Sequence, residues 1–260
     1  MLKKLLFIYR YIIHRLKAVN EHRVDSPFIF NLVANVIYVN QGYYSYKKIE
    51  KLREQLLVSN NKIRCADMGA GSAITSNKTV GSIAKHSAKS AKQAQLLFRI
   101  VNFFQPETII ELGTSLGVST AYLASANSKT PVITIEGCEE AAEIAKQNFK
   151  HLKLKNIEQL VGNFDEVFPK LLKNRKKIDL VYIDGNHRKQ PTINYFQQCL
   201  EKVNEDSVII FDDIYWSDEM MQAWEEIKND TQVTVTIDLF YMGIVLFRKE
   251  QTKQHFMIRF

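Results

Sequence analysis

Three acidic side chains follow two apolar runs late in the chain. Asp184 comes directly after Leu-Val-Tyr-Ile, and Asp212 and Asp213 come directly after Val-Ile-Ile-Phe. We interpret both runs as buried strands, so the carboxylates should collect where the strands end. Crowded like charges repel each other unless a cation or a proton neutralises them. Carboxylates without cysteine suit a hard divalent ion such as Mg²⁺, Ca²⁺ or Mn²⁺; a helix cap or a backbone hydrogen bond is the structural alternative.

His187 stands three residues after Asp184. An imidazole titrates near neutral pH and can act as a general base. A role in capping a helix or orienting a substrate stays open for this histidine.

The segment Glu111-Leu-Gly-Thr-Ser-Leu-Gly-Val-Ser119 is a second chemical signal. Its glycines allow a tight turn, and a helix that begins after the turn offers backbone N–H groups to an anion. A dinucleotide fingerprint needs glycine where Ser115 and Val118 stand, which favours a smaller anionic group over a pyrophosphate. A purely structural strand-to-helix turn is the alternative.

Polar residues also end the next two predicted strands. Glu136 is placed to accept hydrogen bonds from ribose hydroxyls, or is an ordinary exposed glutamate. Asn163 and Phe164 offer an amide and a ring to an adenine, although Asn163 or Asp165 could instead cap the following helix.

Strands and helices alternate from residue 107 onward, which predicts an α/β fold with a mostly parallel sheet covered on both faces. Strands are expected at residues 108–111, 132–136, 157–161, 178–184 and 207–212. The helices between them should begin near Val118, Glu139, Asp165, Lys189 and Asp218. Two last strands, at 232–237 and 240–247, should form a hairpin-like end with one antiparallel edge strand.

The front part differs in charge. Residues 1–104 hold 17 Lys/Arg against 5 Asp/Glu, whereas the whole chain of 260 residues has a net charge of +7. We expect helices at 28–39, 44–58 and 88–104, and an irregular stretch at 61–85. We therefore divide the chain into a helical cap and substrate region with a basic loop, 1–104, and a cofactor-binding domain, 105–260.

A second glycine turn lies at residues 67–72, within that irregular stretch. No helix and acid-ended strand follow it at the right distance, so we interpret it as a loop near the site that could act as a lid. Four lysines around it would then meet an anionic substrate: Lys78, Lys85, Lys89 and Lys92.

Residues 1–20 resemble a signal peptide superficially, but basic residues interrupt the apolar stretch and no small-residue cleavage site follows. We expect a basic amphipathic helix that packs on its own domain, with peripheral membrane contact as the alternative. Three cysteines without a CxxC or zinc-type spacing are typical of a reducing compartment, so we expect a cytoplasmic protein.

Together these motifs resemble those of class I S-adenosylmethionine-dependent methyltransferases. Residues 107–247 carry ELGTSLGVST, VITIEG, IDLVYIDGNH and VIIFDDIYW in the order and spacing of that family. The nearest likeness is to metal-dependent O-methyltransferases that act on small molecules and sugars. The resemblance implies a Rossmann-like, seven-stranded, mostly parallel sheet with an antiparallel last strand, and a helical N-terminal extension.

The resemblance also implies roles for individual residues. S-adenosylmethionine would be bound by Glu111, Gly113, Thr114, Ser115, Gly117, Ser119, Glu136, Gly137, Asn163, Phe164 and Asp184. A divalent metal, Mg²⁺ first, would be held by Asp184, Asp212 and Asp213, with Asp184 and His187 as the catalytic pair. Gly185 stands where the catechol-type enzymes carry a lysine. This difference argues against a catalytic base of the catechol type in this chain.

The leading hypothesis is metal-assisted O-methylation of a small molecule or a sugar. Two alternatives remain open: a metal-independent methyltransferase acting on nitrogen or a macromolecule, and a non-catalytic RNA- or membrane-binding protein on the same scaffold. Under the leading hypothesis the partner is a small molecule, with no nucleic acid, and the oligomeric state is open.

Overall fold

The computed structural model describes residues 2–67, 72–87 and 89–260, without the side chains of 2, 3, 66, 67, 72–76 and 87. It is an α/β protein with an eight-stranded, mostly parallel sheet surrounded by helices. Two compact units divide the chain: Met1–Val39 with Arg175–Phe260, and Asn40–Asn174. We call these the outer unit and the middle unit, after their positions along the chain.

The helices are α1 (Leu2–Lys17), α2 (Pro27–Leu32), α3 (Tyr44–Leu57), α4 (Val80–Ser87), α5 (Ala91–Phe104), α6 (Val118–Ala126), α7 (Glu139–His151), α8 (Phe164–Lys173), α9 (Lys189–Leu200) and α10 (Asp218–Asn229). The strands are β1 (Lys62–Asp67), β2 (Ser72–Thr79), β3 (Ile109–Leu112), β4 (Val132–Glu136), β5 (Ile157–Val161), β6 (Leu180–Ile183), β7 (Val208–Asp212), β8 (Val235–Asp238), β9 (Met242–Leu246) and β10 (Gln254–Met257).

In the middle unit, β4 lies between β3 and β5 and is parallel to both. Its first four residues are buried on both faces, as continuous apolar runs in a parallel strand should be. Helices α3, α5 and α6 pack around an aromatic core that contains Tyr46, Phe98 and Tyr122. The strands and helix starts predicted for residues 105–174 are confirmed to within about one residue, which is the usual uncertainty of element ends.

In the outer unit, the strand order is β10-β8-β9-β7-β6. Strands β6 and β7 are parallel, and β9 runs antiparallel to both of its neighbours, β7 and β8. An antiparallel strand is therefore confirmed, but the expected edge position is wrong, because β9 lies between β8 and β7. The expected number of seven strands is too low, because β10 adds an eighth strand parallel to β8. Its short, polar sequence Gln-His-Phe-Met lacks the apolar alternation that marks a strand.

The expectation of an irregular stretch at 61–85 is wrong. Strands β1 and β2 pair as an antiparallel hairpin, and α4 follows directly. The sequence of β2 hides the strand, because it lacks the regular apolar alternation that marks one. Four residues of the second glycine turn, 68–71, lie outside the described residues.

The start of the second helix follows the sequence signal. The side chain of Ser26 accepts a hydrogen bond from the backbone of Ile29, with Pro27 in the first helical position. The helix then continues as one π-helical stretch, Val33–Ile37. Helix α5 begins at Ala91 rather than 88 because Ser90 and Gln93 form a capping box.

A disulfide joins Cys65 on β1 to Cys138, the residue that precedes α7. Cys199 is a buried free thiol, and burial raises its pKa. This bond does not fit the expectation of a reducing compartment, which was drawn from the small and odd number of cysteines. The pairing was not visible in the sequence, because the two cysteines are 73 residues apart and only the hairpin brings them together.

We expect purified protein handled without reductant to show one thiol per chain when it is denatured. Closing a loop of this length lowers the entropy of the unfolded chain, so Cys65→Ser should reduce the free energy of unfolding by about 4 kcal/mol. Thiol titration with Ellman's reagent and urea unfolding give the two measurements.

Reductant serves as the control. Dithiothreitol should lower the stability of the wild-type protein towards that of Cys65→Ser and leave the variant unchanged. Three titratable thiols in the unreduced, denatured chain would contradict the pairing.

Candidate functional site

The turn after β3 has the backbone conformation that its glycines permit. Gly113 and Gly117 have φ of 109° and 81°, and Ser115 lies in the left-handed region at 49°. The amides of Gly113 and Thr114 both donate to the carbonyl of Ile135 on β4, at 3.0 and 3.2 Å. The turn therefore rests on β4.

Gly117 is also required by close packing. A Cβ atom at this position would lie 2.5 Å from Cε1 of Phe149 on α7. Any larger residue would push α6 and α7 apart, and the positive φ would add strain.

A buried hydrogen-bond network lies beneath the turn. Glu111 is fully buried, and its carboxylate accepts hydrogen bonds from the hydroxyls of Thr120 and Thr134. The Thr134 hydroxyl also lies 2.6 Å from the hydroxyl of Thr114. Glu111 and Thr114, both predicted to bind the cofactor, are thus placed to support the turn from within the core. Ser119, in the first turn of α6, is buried as well.

Glu136 links the glycine turn to the start of α7. One carboxylate oxygen accepts from the backbone N–H of Ser115 at 2.7 Å, and the other accepts from the N–H of Cys138 at 2.9 Å. In the sequence, Gly137 separates Glu136 from the disulfide-bonded Cys138. A carboxylate accepts about four hydrogen bonds, so these contacts are compatible with ribose hydroxyls on the same group.

The third strand end is a helix cap. Asn163 precedes α8, and its side-chain oxygen accepts a hydrogen bond from the N–H of Asp165 at 3.0 Å. Phe164 is the first residue of α8 and is half-buried. The amide of Gly162 donates to the carbonyl of Glu136 at 2.9 Å, which brings this strand end beside Glu136.

The acidic cluster of the outer unit follows from strand register. Ile183 pairs with Phe211 across the parallel strands β6 and β7, so the next residues, Asp184 and Asp212, leave the strands side by side. Asp212 is 1% exposed, and Asp184 is half-buried. The buried apolar strands thus deliver two carboxylates to one place, as the sequence predicted.

Tyr182 and His187 complete this cluster. The Tyr182 hydroxyl lies 3.0 Å from one oxygen of Asp184 and 3.3 Å from one oxygen of Asp212, so it can donate to either carboxylate. The Nε2 atom of His187 is 3.7 Å from the other oxygen of Asp184. One ligand atom from each of Asp184, His187 and Asp212 lies within 4.8 Å of the others. We call these three residues the acidic triad.

Asp213 is not part of the triad. Its backbone is left-handed, with φ of 53°, and its amide donates to the carbonyl of Tyr241 at 2.7 Å. The pKa of the Tyr241 hydroxyl is raised by burial, by Tyr11 and by the nearby charge of Asp213. A metal-binding role for Asp213 stays a prediction, while His187, expected as a base, is among the residues that could hold a metal.

Sequence reasoning missed Tyr182, because a tyrosine inside an apolar strand gives no signal of which carboxylates it will face. It also missed the hairpin, whose Arg64 amide donates to Glu140 on α7 at 2.9 Å. After the acidic cluster, Tyr215 is stacked on Phe240, and Trp216 is 62% exposed.

A family model described as a methyltransferase domain matches residues 110–214. This range contains every residue that we singled out for the cofactor and the metal. It begins within β3 and ends just after Asp213.

Curated relatives agree with that match. An uncharacterised protein, R132, of Acanthamoeba polyphaga mimivirus is 31% identical over 53% of this chain and 67% of its own length. A catechol O-methyltransferase of Mycobacterium tuberculosis is 30% identical over 49% of this chain and 57% of its own length. The O-methyltransferase hkm8 of Aspergillus hancockii is 29% identical over 48% and 50%. The chain therefore spans only about half the length of the two O-methyltransferases.

Solved structures share the fold. The O-methyltransferase TomG of Streptomyces achromogenes, in complex with S-adenosylmethionine, aligns with 83% of this chain and 95% of its own, at a TM-score of 0.58 and 19% identity. An O-methyltransferase of Bacillus cereus, in complex with S-adenosylhomocysteine, aligns with 80% and 93%, at a TM-score of 0.56 and 18% identity. Residues 110–214 thus match a methyltransferase domain, the curated relatives with a stated activity are O-methyltransferases, and the chain has the fold of O-methyltransferases.

Proposed function

We propose that the protein transfers the methyl group of S-adenosylmethionine to a hydroxyl oxygen of a small molecule, with a divalent cation held by the acidic triad. The observation that carries the metal assignment is the grouping of Asp184, His187 and Asp212 within 4.8 Å. The names of the catechol O-methyltransferase relatives support a small hydroxylated acceptor. That the acceptor is anionic stays a prediction.

The donor set fits a hard cation. Two carboxylate oxygens and one imidazole nitrogen are ligands that Mg²⁺ or Mn²⁺ accepts, and no cysteine belongs to the group. Two carboxylates side by side, one of them almost fully buried, also repel each other, and a divalent ion would remove that repulsion. When bound, such an ion lowers the pKa of a hydroxyl that contacts it.

The reaction itself is an in-line displacement at the methyl carbon. The carbon–sulfur bond breaks, the carbon–oxygen bond forms, and S-adenosylhomocysteine leaves with the electron pair on sulfur. The protein must align the acceptor oxygen and exclude water. Because an imidazole nitrogen that holds the cation cannot also accept a proton, His187 acts in this proposal as a ligand, and the hydroxyl proton leaves to solvent as the acceptor binds.

Cofactor binding is assigned to the middle unit. The turn from Gly113 to Gly117 and the start of α6 would bind the methionine part, with backbone amides at the helix N-terminus serving its carboxylate. Glu136 would accept hydrogen bonds from the ribose hydroxyls, and Asn163 and Phe164 would contact the adenine. Glu111 and Thr114 act through the turn rather than on the ligand.

Glu136→Gln should weaken the binding of S-adenosylhomocysteine by about tenfold or more, because hydrogen bonds to a charged acceptor contribute about 1.5–3 kcal/mol. Calorimetry with S-adenosylhomocysteine and with its 2′-deoxy analogue measures the effect. The wild-type protein should bind the 2′-deoxy analogue more weakly than S-adenosylhomocysteine. The variant should bind the two ligands with nearly equal affinity.

Glu158→Gln is the matched control, since Glu158 is exposed on β5. It should bind both ligands as the wild-type protein does. If Glu136→Gln still discriminates fully between the two ligands, Glu136 supports the turn and does not bind the ribose.

Asp212→Asn should lower the affinity for Mn²⁺ by at least about tenfold, because a charged ligand is lost from the triad. The affinity for S-adenosylhomocysteine should stay within about twofold of the wild-type value. Electron paramagnetic resonance of free Mn²⁺ and calorimetry give the two affinities.

Asp206→Asn, at an exposed position, is the matched control and should behave as the wild-type protein. Asp184→Asn, at a half-buried position, repeats the test if the Asp212 variant does not fold. Unchanged Mn²⁺ binding in both triad variants would refute the metal site.

A further inference from the structure

Helix α1 presents an apolar face to solvent. Five large side chains, each three or four residues from another of the set, form one stripe along the helix. They are Leu5, Ile8, Tyr9, Ile12 and Leu16, with exposed fractions of 56%, 53%, 61%, 50% and 76%. Contiguous exposed apolar surface of this kind marks an interaction site, whereas single exposed apolar residues do not.

The opposite face of α1 packs against the rest of the outer unit. His14 is 3% exposed, and its Nε2 atom lies 2.9 Å from a carboxylate oxygen of Asp238. The rings of Phe7 and Tyr11 each contact Phe240, with centroids 5.1 Å apart. Since the inner face is packed in this way, turning the helix to bury the stripe would break these contacts.

Charge on α1 is of one sign. The helix carries five Lys/Arg and no acidic residue. Lys4 and Arg15 are exposed, and because eleven residues make about three helical turns they lie along one border of the stripe. Lys17 is exposed towards the other border. Arg10 is paired with Asp218 and therefore belongs to the inner face.

An exposed tryptophan extends the surface. Trp216 is 62% exposed, and its ring lies edge-on to Phe7 of α1, with centroids 6.5 Å apart. Tryptophan is enriched where proteins meet the headgroup region of a bilayer, because its ring is apolar and its N–H is polar.

We propose that α1 and Trp216 form a membrane-docking surface that binds anionic lipid bilayers. The apolar stripe would enter the boundary between headgroups and acyl chains, while the bordering cations reach the lipid phosphates. A second copy of this chain fits less well, because a symmetric contact would bring Lys4, Arg15 and Lys17 against like charges. None of the described helices is long and apolar enough to cross a bilayer.

Vesicle flotation with the full chain tests this surface. Vesicles are made of phosphatidylcholine alone, or with about one third phosphatidylglycerol to supply negative charge. The protein should float with the anionic vesicles only, and added salt should weaken the binding. Because Trp224 is buried, a blue shift of tryptophan emission on binding reports Trp216.

Two double variants separate the apolar and the charged contributions. Ile8→Ser with Ile12→Ser should lower the apparent affinity at least about tenfold, since two apolar side chains that would enter the bilayer are lost. Lys4→Glu with Arg15→Glu should lower it by a similar factor. All four side chains are exposed, so the fold should persist, which circular dichroism checks.

Matched controls lie in the middle unit. Val58→Ser removes an apolar side chain that is 78% exposed, and Lys129→Glu with Lys155→Glu changes the net charge equally. Both controls should float as the wild-type protein does. The proposal is overturned if the wild-type protein ignores anionic vesicles, if the controls lose binding as the α1 variants do, or if sedimentation shows a dimer that Ile8→Ser with Ile12→Ser dissociates.

Discussion

The proximity of two carboxylates is the constraint on which the outer unit depends. The parallel register of β6 on β7 leaves Asp184 and Asp212 side by side, and the apolar residues before them hold the strands in the core. Burying one carboxylate beside another is unfavourable unless donors or a cation compensate. The Tyr182 hydroxyl can donate a hydrogen bond to either carboxylate. A divalent ion would compensate the negative charge that remains.

A different carboxylate organises the middle unit. Glu136 connects the glycine turn to α7 through two backbone amides, so the group assigned to the ribose also holds the turn assigned to the methionine part. The disulfide at Cys138 fastens the hairpin two residues further along. Substitutions of Glu136 therefore act on local structure as well as on a ligand, and the deoxy analogue is needed to separate the two effects.

Apolar strands and helix caps made much of the fold predictable. The starts of α6, α7, α9 and α10 were predicted at the right residue, because buried β-branched runs and helix-starting residues are local signals. The hairpin, β10 and the Cys65–Cys138 bond were not predicted, since they depend on backbone pairing between polar or distant segments. The same limit applies to the site. The ends of the apolar strands predicted that Asp184 and Asp212 would lie together. The left-handed backbone at Asp213 and the approach of His187 to the two carboxylates depend on the folded turns, which the sequence does not show.

The most direct test of the account is product formation from [¹³C-methyl]-S-adenosylmethionine with a panel of small hydroxylated acceptors, followed by nuclear magnetic resonance. We expect a new O-methyl signal whose appearance stops with EDTA and resumes when Mg²⁺ is added in excess of the chelator. Formation of the same product at the same rate in EDTA would contradict the central claim that the acidic triad acts through a divalent cation.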